Sequence, residues 1–280
     1  RGFEIALNHQ NTIGELTYSV APNFSWARRQ YGYIERAEST NLNHNWRNNF
    51  TNRWDNIYWG YVSDGQFQNQ EEINTAPIHD DQANKTLLPG DIRYVDLNND
   101  GIIDDQDQQV IGRGTTPEIF YGLNLAAAYK GFDFSVLFQG ASNFNAYFSS
   151  ELQNPLFNNA SAYAMFADRW HRADLNDPDS EWVAGKYPST ITSGANNNKR
   201  VSDFWLKDAS YLRLKTLEFG YTFNQDWVSR AKIRNLRVFV SGQNLFTWDK
   251  IKYIDPEAPE GRGDYYPHQR VWTAGLNIGF

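Results

Sequence analysis

The 280-residue chain has no cysteine and a single methionine, Met165. Without thiols there is no disulfide framework, no zinc ribbon and no thiolate chemistry. No window approaches ~20 consecutive apolar residues, which excludes a transmembrane helix. A basic field is missing too: 26 Lys and Arg stand against 33 Asp and Glu, a formal net charge of -7, so nucleic acid is not an expected partner. The histidines His9, His44, His79, His171 and His268 are scattered with no HExxH spacing, so no catalytic zinc site is expected. There is no GxSxG elbow and no glycine-rich phosphate loop. Carboxylates such as Asp255 and Glu257 read as loop charges, not as a glycosidase pair facing across a cleft. An enzyme is not expected.

Aromatic residues are abundant. They make up 16% of the chain, with 10 Trp and 16 Tyr, while only 40% is hydrophobic and the mean hydropathy is -0.67. That combination fits strands that are apolar on one face and joined by polar loops. The final residues are the clearest case. Trp272, Ala274, Leu276, Ile278 and Phe280 point one way, and Thr273, Gly275, Asn277 and Gly279 the other. An apolar-out, polar-in strand ending on Phe280 suggests the closing strand of an outer-membrane β-barrel, with Trp272, Leu276, Ile278 and Phe280 as its lipid-facing residues.

About seven strands are predicted by the same alternation. They are 3–9, then 13–26 after a polar break at Gln10–Thr12, then 118–129, and a strand from Phe132 that follows a tight turn at Lys130–Gly131. The series continues with 211–223, 234–246 and the terminal strand. In 211–223, Leu217, Phe219, Tyr221 and Phe223 share a face on which Arg213 and Lys215 are also expected. A helix is allowed only over 160–171. The connections at 10–12, 130–131 and 224–233 are short and share one side; those at 27–117, 144–210 and 247–270 are long and share the other. Short periplasmic turns with long extracellular loops are the asymmetry of bacterial barrels. The expected fold is therefore all-β, an antiparallel transmembrane barrel segment. Seven strands cannot close a large transporter barrel, which needs about 22, and an open sheet is not viable alone in lipid. The chain, which begins at Arg1, is thus expected to be the C-terminal part of a larger barrel or to complete one with another polypeptide. The alternative is a soluble, secreted β-sandwich binding module.

In the first long connection, Asp96-Leu97-Asn98-Asn99-Asp100-Gly101-Ile102-Ile103-Asp104-Asp105-Gln106-Asp107 places oxygen side chains at positions one, three, five, nine and twelve of a twelve-residue loop. This is EF-hand-type spacing. Calcium needs six to eight oxygen ligands, and Gly101 permits the turn. Asp96, Asn98, Asp100 and Asp107 are expected to ligate directly, Ile102 through its carbonyl, and Asp104 directly or through water. The plain alternative is an acidic hairpin rich in Asx-turns. Aromatics in the long connections, Trp46, Trp54, Tyr58, Trp59, Trp170, Trp182, Tyr253, Tyr265 and Tyr266, are candidates for lining a substrate cavity or meeting a lid protein. Packing between the loops is the alternative for each of them.

The stretch from Gly90-Asp91-Ile92-Arg93-Tyr94 through Asp96 to Asp104 resembles the GDIKYKDLNGDGVID signature of SusC/RagA-type TonB-linked outer-membrane proteins of Bacteroidetes. Gly60-Tyr61-Val62-Ser63-Asp64-Gly65, Lys130-Gly131-Phe132-Asp133, Ala209-Ser210-Tyr211-Leu212-Arg213-Leu214-Lys215 and Gly242-Gln243-Asn244-Leu245-Phe246-Thr247 match further motifs of that family in order. The N-terminal extension, TonB box and plug of the family have no counterpart here. The resemblance implies import of oligosaccharides or peptides across the outer membrane, energised by TonB. It also implies extracellular loops that contact a SusD-like surface lipoprotein, and a terminal strand read by the barrel-assembly machinery.

Overall fold

The computed structural model describes residues 1–35, 50–190, 197–223, 233–258 and 261–280. In chain order the strands are β1 (Gly2–Ala6), β2 (His9–Ile13), β3 (Leu16–Ala27), β4 (Ile57–Tyr61), β5 (Ser63–Gln66), β6 (Ile92–Tyr94), β7 (Gln108–Arg113), β8 (Ile119–Tyr129), β9 (Phe132–Ser142), β10 (Asn145–Tyr147), β11 (His171–Arg172), β12 (Trp182–Val183), β13 (Leu206–Asp208), β14 (Tyr211–Phe223), β15 (Asn235–Asp249) and β16 (Val271–Gly279). Among the described residues a short α-helix, α1, spans Gln70–Thr75.

An antiparallel wall in the order β1-β3-β8-β9-β14-β15-β16, with β2 also on β3, carries the architecture. β1 and β2 are one strand in a single register, from Gly2↔Ala27 to Ile13↔Leu16. They are interrupted only opposite Pro22, which accepts from the Leu7 amide but has no N–H to return. This corrects the expected break at Gln10–Thr12. Those residues lie inside β2, and the chain reverses at Gly14–Glu15, where Gly14 takes a positive φ of 61°. The hairpin at Lys130–Gly131 is where the alternation places it. The expected connection at 224–233 lies, apart from its last residue, outside the described residues.

Side-chain parity across the wall is consistent strand to strand. Phe3, Ile5, Phe24, Trp26, Leu125, Phe134, Val136, Phe219, Val240 and Ala274 fall on one face by register. Asp133, Ser135, Glu218, Arg237, Thr273 and Asn277 fall on the other. The large apolar side chains are exposed: Phe219 is 51% accessible and Trp272 66%. Aromatic rings cluster toward both ends of the apolar face. Phe132 and Tyr221 lie 4.5 Å apart near the hairpins, and Phe246 and Trp248 lie 6.3 Å apart near the long connections. The polar face is held by Arg237, which reaches Asp133 at 2.5 Å and Glu218 at 2.6 Å. A β-sandwich would bury its apolar face under a second sheet. Among the described residues the other sheets are two-stranded pairs, and none is an extended partner for that face.

β14 departs from simple alternation. The pairing with β9 passes from Leu214↔Phe138 to Thr216↔Leu137, so Lys215 is an extra residue, a β-bulge. Parity flips there. Leu214 joins Leu217 and Val136 in an apolar cluster, while Arg213 pairs opposite Gln139 on the polar face. The expectation that Arg213 shares a face with Leu217 is corrected by this one-residue insertion. β15 continues to Asp249, so the third long connection starts at 250 and not at 247.

The three long connections leave the same end of the wall and share one core. Tyr61, Ile92, Tyr94 and Ile103 of the first, Phe148, Leu152, Met165, Phe166 and Trp205 of the second, and Ile251 of the third pack together. A smaller core joins Phe67, Ile73 and Leu87 around α1. At its base the first connection is closed by a clasp. The Gly114 amide donates to the Asn56 carbonyl at 2.6 Å, and Asn56 Nδ2 donates to the Thr116 carbonyl at 2.7 Å. Buried Glu118 receives Arg28 at 2.8 Å and Arg113 at 3.2 Å. In place of a helix over 160–171 there is a five-residue 3-10 turn, Ala164–Asp168, followed by β11.

Candidate functional site

The acidic loop in the first connection is shaped by its own oxygens. Asp96 accepts from the amides of Asn99 at 2.7 Å and Gly101 at 2.8 Å. Asn98 accepts from Asp100 N at 3.0 Å, Asp100 from Ile102 N at 2.9 Å, and Asp104 from Gln106 N at 2.7 Å. Gly101 sits at φ +83°, as the sharp turn requires. Asp107 is fully buried and closes the loop, accepting from Leu97 N and Asp104 N, both at 2.8 Å. Burial pushes its pKa up, against the hydrogen bonds from Asp104 and Leu97 that pull it down. Each carboxylate has about four lone-pair sites, so these bonds leave oxygen capacity for a hard cation. The donor set fits calcium in kind.

A second constellation joins two carboxylates that in the sequence read as loop charges to one of the scattered histidines. Asp255, Glu257 and His268 bring ligand-type atoms within 4.8 Å of one another. Arg213 Nη2 contacts Asp255 Oδ1 at 2.6 Å, and Glu257 Oε2 receives Lys215 at 3.3 Å, Arg213 at 3.5 Å and His268 at 3.0 Å. Two carboxylates already face two fixed cations, so the cluster acts as an ionic clasp between β14 and the third connection and not as a cation site. The bulge at Lys215 makes it possible, and a bulge leaves no signature in alternation alone. Tyr265, Tyr266 and His268 line a cavity of about 270 Å³ beside the clasp.

The candidate aromatics divide by environment. Trp170 is 4% exposed and packs on Gly90, where a Cβ would collide with its ring. Tyr58 stacks on Tyr147 with centroids 5.7 Å apart. Trp54, Trp59 and Trp182 lie under guanidinium groups of Arg28, Arg53 and Arg172 at 4.3, 5.0 and 4.3 Å. These five rings hold the loops together. Tyr253, Tyr265 and Tyr266 are exposed, Tyr266 at 82%, and are free to meet a ligand or a partner. Trp46 lies outside the described residues.

No family model matches the chain. Curated relatives do. TonB-dependent receptor P26 of Formosa agariphila is 29% identical over 242 residues, covering 80% of this chain and 22% of the relative. TonB-dependent receptor P3 of the same organism is 28% identical over 307 residues, covering 100% of this chain and 28% of the relative. TonB-dependent receptor SusC of Bacteroides thetaiotaomicron is 25% identical over 209 residues, 74% of this chain and 19% of the relative. The chain thus spans about a quarter of the length of the curated relatives it matches. Among solved structures, the RagAB peptide importer in its open-open state superposes with a TM-score of 0.65 at 18% identity, over 100% of this chain and 28% of that one. The RagAB peptide transporter superposes with a TM-score of 0.63, also at 18% identity, over 100% of this chain and 29% of that one. The fold is that of a barrel wall. In sequence and architecture this chain is a SusC/RagA-like stretch of TonB-dependent receptor.

Proposed function

We propose that the chain forms part of the wall and the extracellular cap of an outer-membrane importer of nutrient oligomers, oligosaccharide or peptide. One observation carries this reading. A seven-stranded antiparallel wall exposes an apolar face, keeps a charged polar face opposite, and sends all its long, folded connections to one end. The apolar face meets lipid, the polar face lines the lumen, and the cap faces the medium. A SusD-like surface lipoprotein covers the cap, with Tyr253, Tyr265 and Tyr266 as exposed contacts. The TonB complex supplies energy through parts of the importer outside this stretch, and the barrel-assembly machinery reads the strand carrying Trp272, Leu276, Ile278 and Phe280.

In the cap, calcium is the cation that the donor set of Asp96, Asn98, Asp100, Ile102, Asp104 and Asp107 suits. Its role is to stiffen an exposed loop.

This stretch brings no cysteine of its own, so single thiols placed in it report its orientation once any cysteine elsewhere in the importer is replaced. Single substitutions Asp177→Cys in the cap and Glu15→Cys in a hairpin are probed on intact cells with a membrane-impermeant maleimide. Labelling of the first and protection of the second until the outer membrane is opened is expected. Labelling of Glu15→Cys alone would invert the orientation and remove the cap from the substrate side.

A further inference from the structure

The acidic loop does not end at its own hydrogen bonds. Its middle residues form a small ladder with Ile78: the Ile78 amide donates to the Gly101 carbonyl and the Ile103 amide to the Ile78 carbonyl, both at 2.8 Å. Arg200, from the second connection, grips both sides of this ladder. Its Nη1 donates to the Ile103 carbonyl at 2.9 Å and its Nη2 to the His79 carbonyl at 2.5 Å. The guanidinium lies 4.9 Å from the Tyr61 ring centroid, which fixes its orientation.

The residues beside Arg200 are equally tied. Asn198 Oδ1 accepts the Ile92 amide at 2.9 Å, its Nδ2 donates to Asp91 Oδ1 at 2.7 Å, and its carbonyl accepts Trp205 Nε1 at 2.8 Å. Asn198, Lys199 and Trp205 line a cavity of about 230 Å³ together with Asn154, Phe157 and Pro188.

We infer that the Asp96–Asp107 loop and the Asn198–Trp205 wall of this cavity are one mechanical unit, with Arg200 as the positioning residue between them. Tightening the loop holds Ile103 and His79 in place for the guanidinium, and that holds the cavity wall. Loosening the loop releases Arg200 and slackens the wall. The coupling stands on these hydrogen bonds; its operation by a bound cation rests on the calcium reading above.

Hydrogen–deuterium exchange on the intact importer that carries this stretch, in detergent, tests it, since local opening is reported segment by segment. Asp107→Ala, and the milder Asp100→Ala should the first not fold, are expected to speed exchange in both 98–104 and 198–205. The rise expected is about tenfold or more, the scale of losing a hydrogen bond to a charged group. Strand β14 serves as the unchanged reference. Arg200→Gln alone should raise exchange in 198–205, and in that background Asp100→Ala should no longer affect 198–205. If either loop variant loosens 98–104 and leaves 198–205 at its native rate, the coupling is wrong. Calcium and chelator are compared on the native sequence. A loop indifferent to chelation overturns the cation reading, while the variants still decide the coupling.

Discussion

Arg213, 1% exposed on the polar face of β14, holds Asp255 at 2.6 Å across forty-two residues of sequence. Its reach depends on the bulge at Lys215, because in unbroken alternation Arg213 would face the same side as Leu217. Burial makes the pair asymmetric in its consequences. A desolvated carboxylate left without its partner costs more than the intact pair contributes. Arg213→Ala is expected to destabilise by about 3–5 kcal/mol and to open the third connection to protease. Adding Asp255→Asn should recover part of the loss. Unfolding midpoints and cleavage rates within 250–270 measure both; a single variant as stable as the native chain would show that the clasp is ornamental.

The two faces of the wall predict opposite tolerance to one substitution. Phe219→Arg places a charge among Phe134 and Val240 on the apolar face and is expected to cost about 2–4 kcal/mol near mid-membrane. Thr273→Arg, on the polar face opposite Ser241, should stay within about 1 kcal/mol of native. Urea unfolding in lipid vesicles compares them. Equal losses would mean that both faces see the same solvent.

Asp100→Ala removes a central oxygen of the acidic loop. Calcium affinity, measured by calorimetry, should fall by tenfold or more, about the loss of 1.4 kcal/mol or greater expected for one ligand in a charged site. Insertion into the outer membrane should be unchanged, since the wall lies elsewhere. Absence of calcium binding to the native loop would return it to the plain acidic hairpin.

Burial pushes the His79 pKa below its ordinary value of 6.5, partly offset by the bond to Pro77 and reinforced by Arg200. Its Nε2 accepts the Tyr94 amide at 3.1 Å, so Nδ1 carries the proton toward the Pro77 carbonyl. A base with a depressed folded pKa contributes stability that is complete above 6.5 and is lost as pH falls through 6.5 toward the folded value. Between pH 7.5 and 5.5 the native chain should therefore lose more stability than His79→Gln. Buried Asp91, whose pKa is raised by desolvation, acts in the opposite direction and is common to both proteins. Parallel pH profiles for the two proteins would remove His79 from the account.

The wall was legible because lipid-type strands impose a period of two, and residues such as Phe132, Phe134 and Val136 obey it without tertiary help. The turn at Gly14–Glu15 was misplaced because Gln10–Thr12, polar yet in strand, imitate a loop. Parity beyond Lys215 failed for a different reason: a bulge exists only relative to a partner strand, and no single strand displays it. The acidic loop showed its twelve-residue spacing, since its geometry is local. Arg200 and the clasp around Glu257 were invisible because their partners lie about forty to over a hundred residues away, where pattern carries no distance.

The clasp at Asn56, Gly114 and Thr116 bears on how β3 finds β8. A connection of some ninety residues between paired strands should slow their meeting, because closing a long flexible loop loses entropy before any contact forms. Here the connection's two ends are brought together at Asn56, and the small Phe67, Ile73 and Leu87 cluster lies within it. With Asn56 held to Gly114 and Thr116, the loop left to close between β3 and β8 is shorter than the connection's full length. Closing that shorter loop loses less entropy, so the clasp favours pairing of β3 with β8.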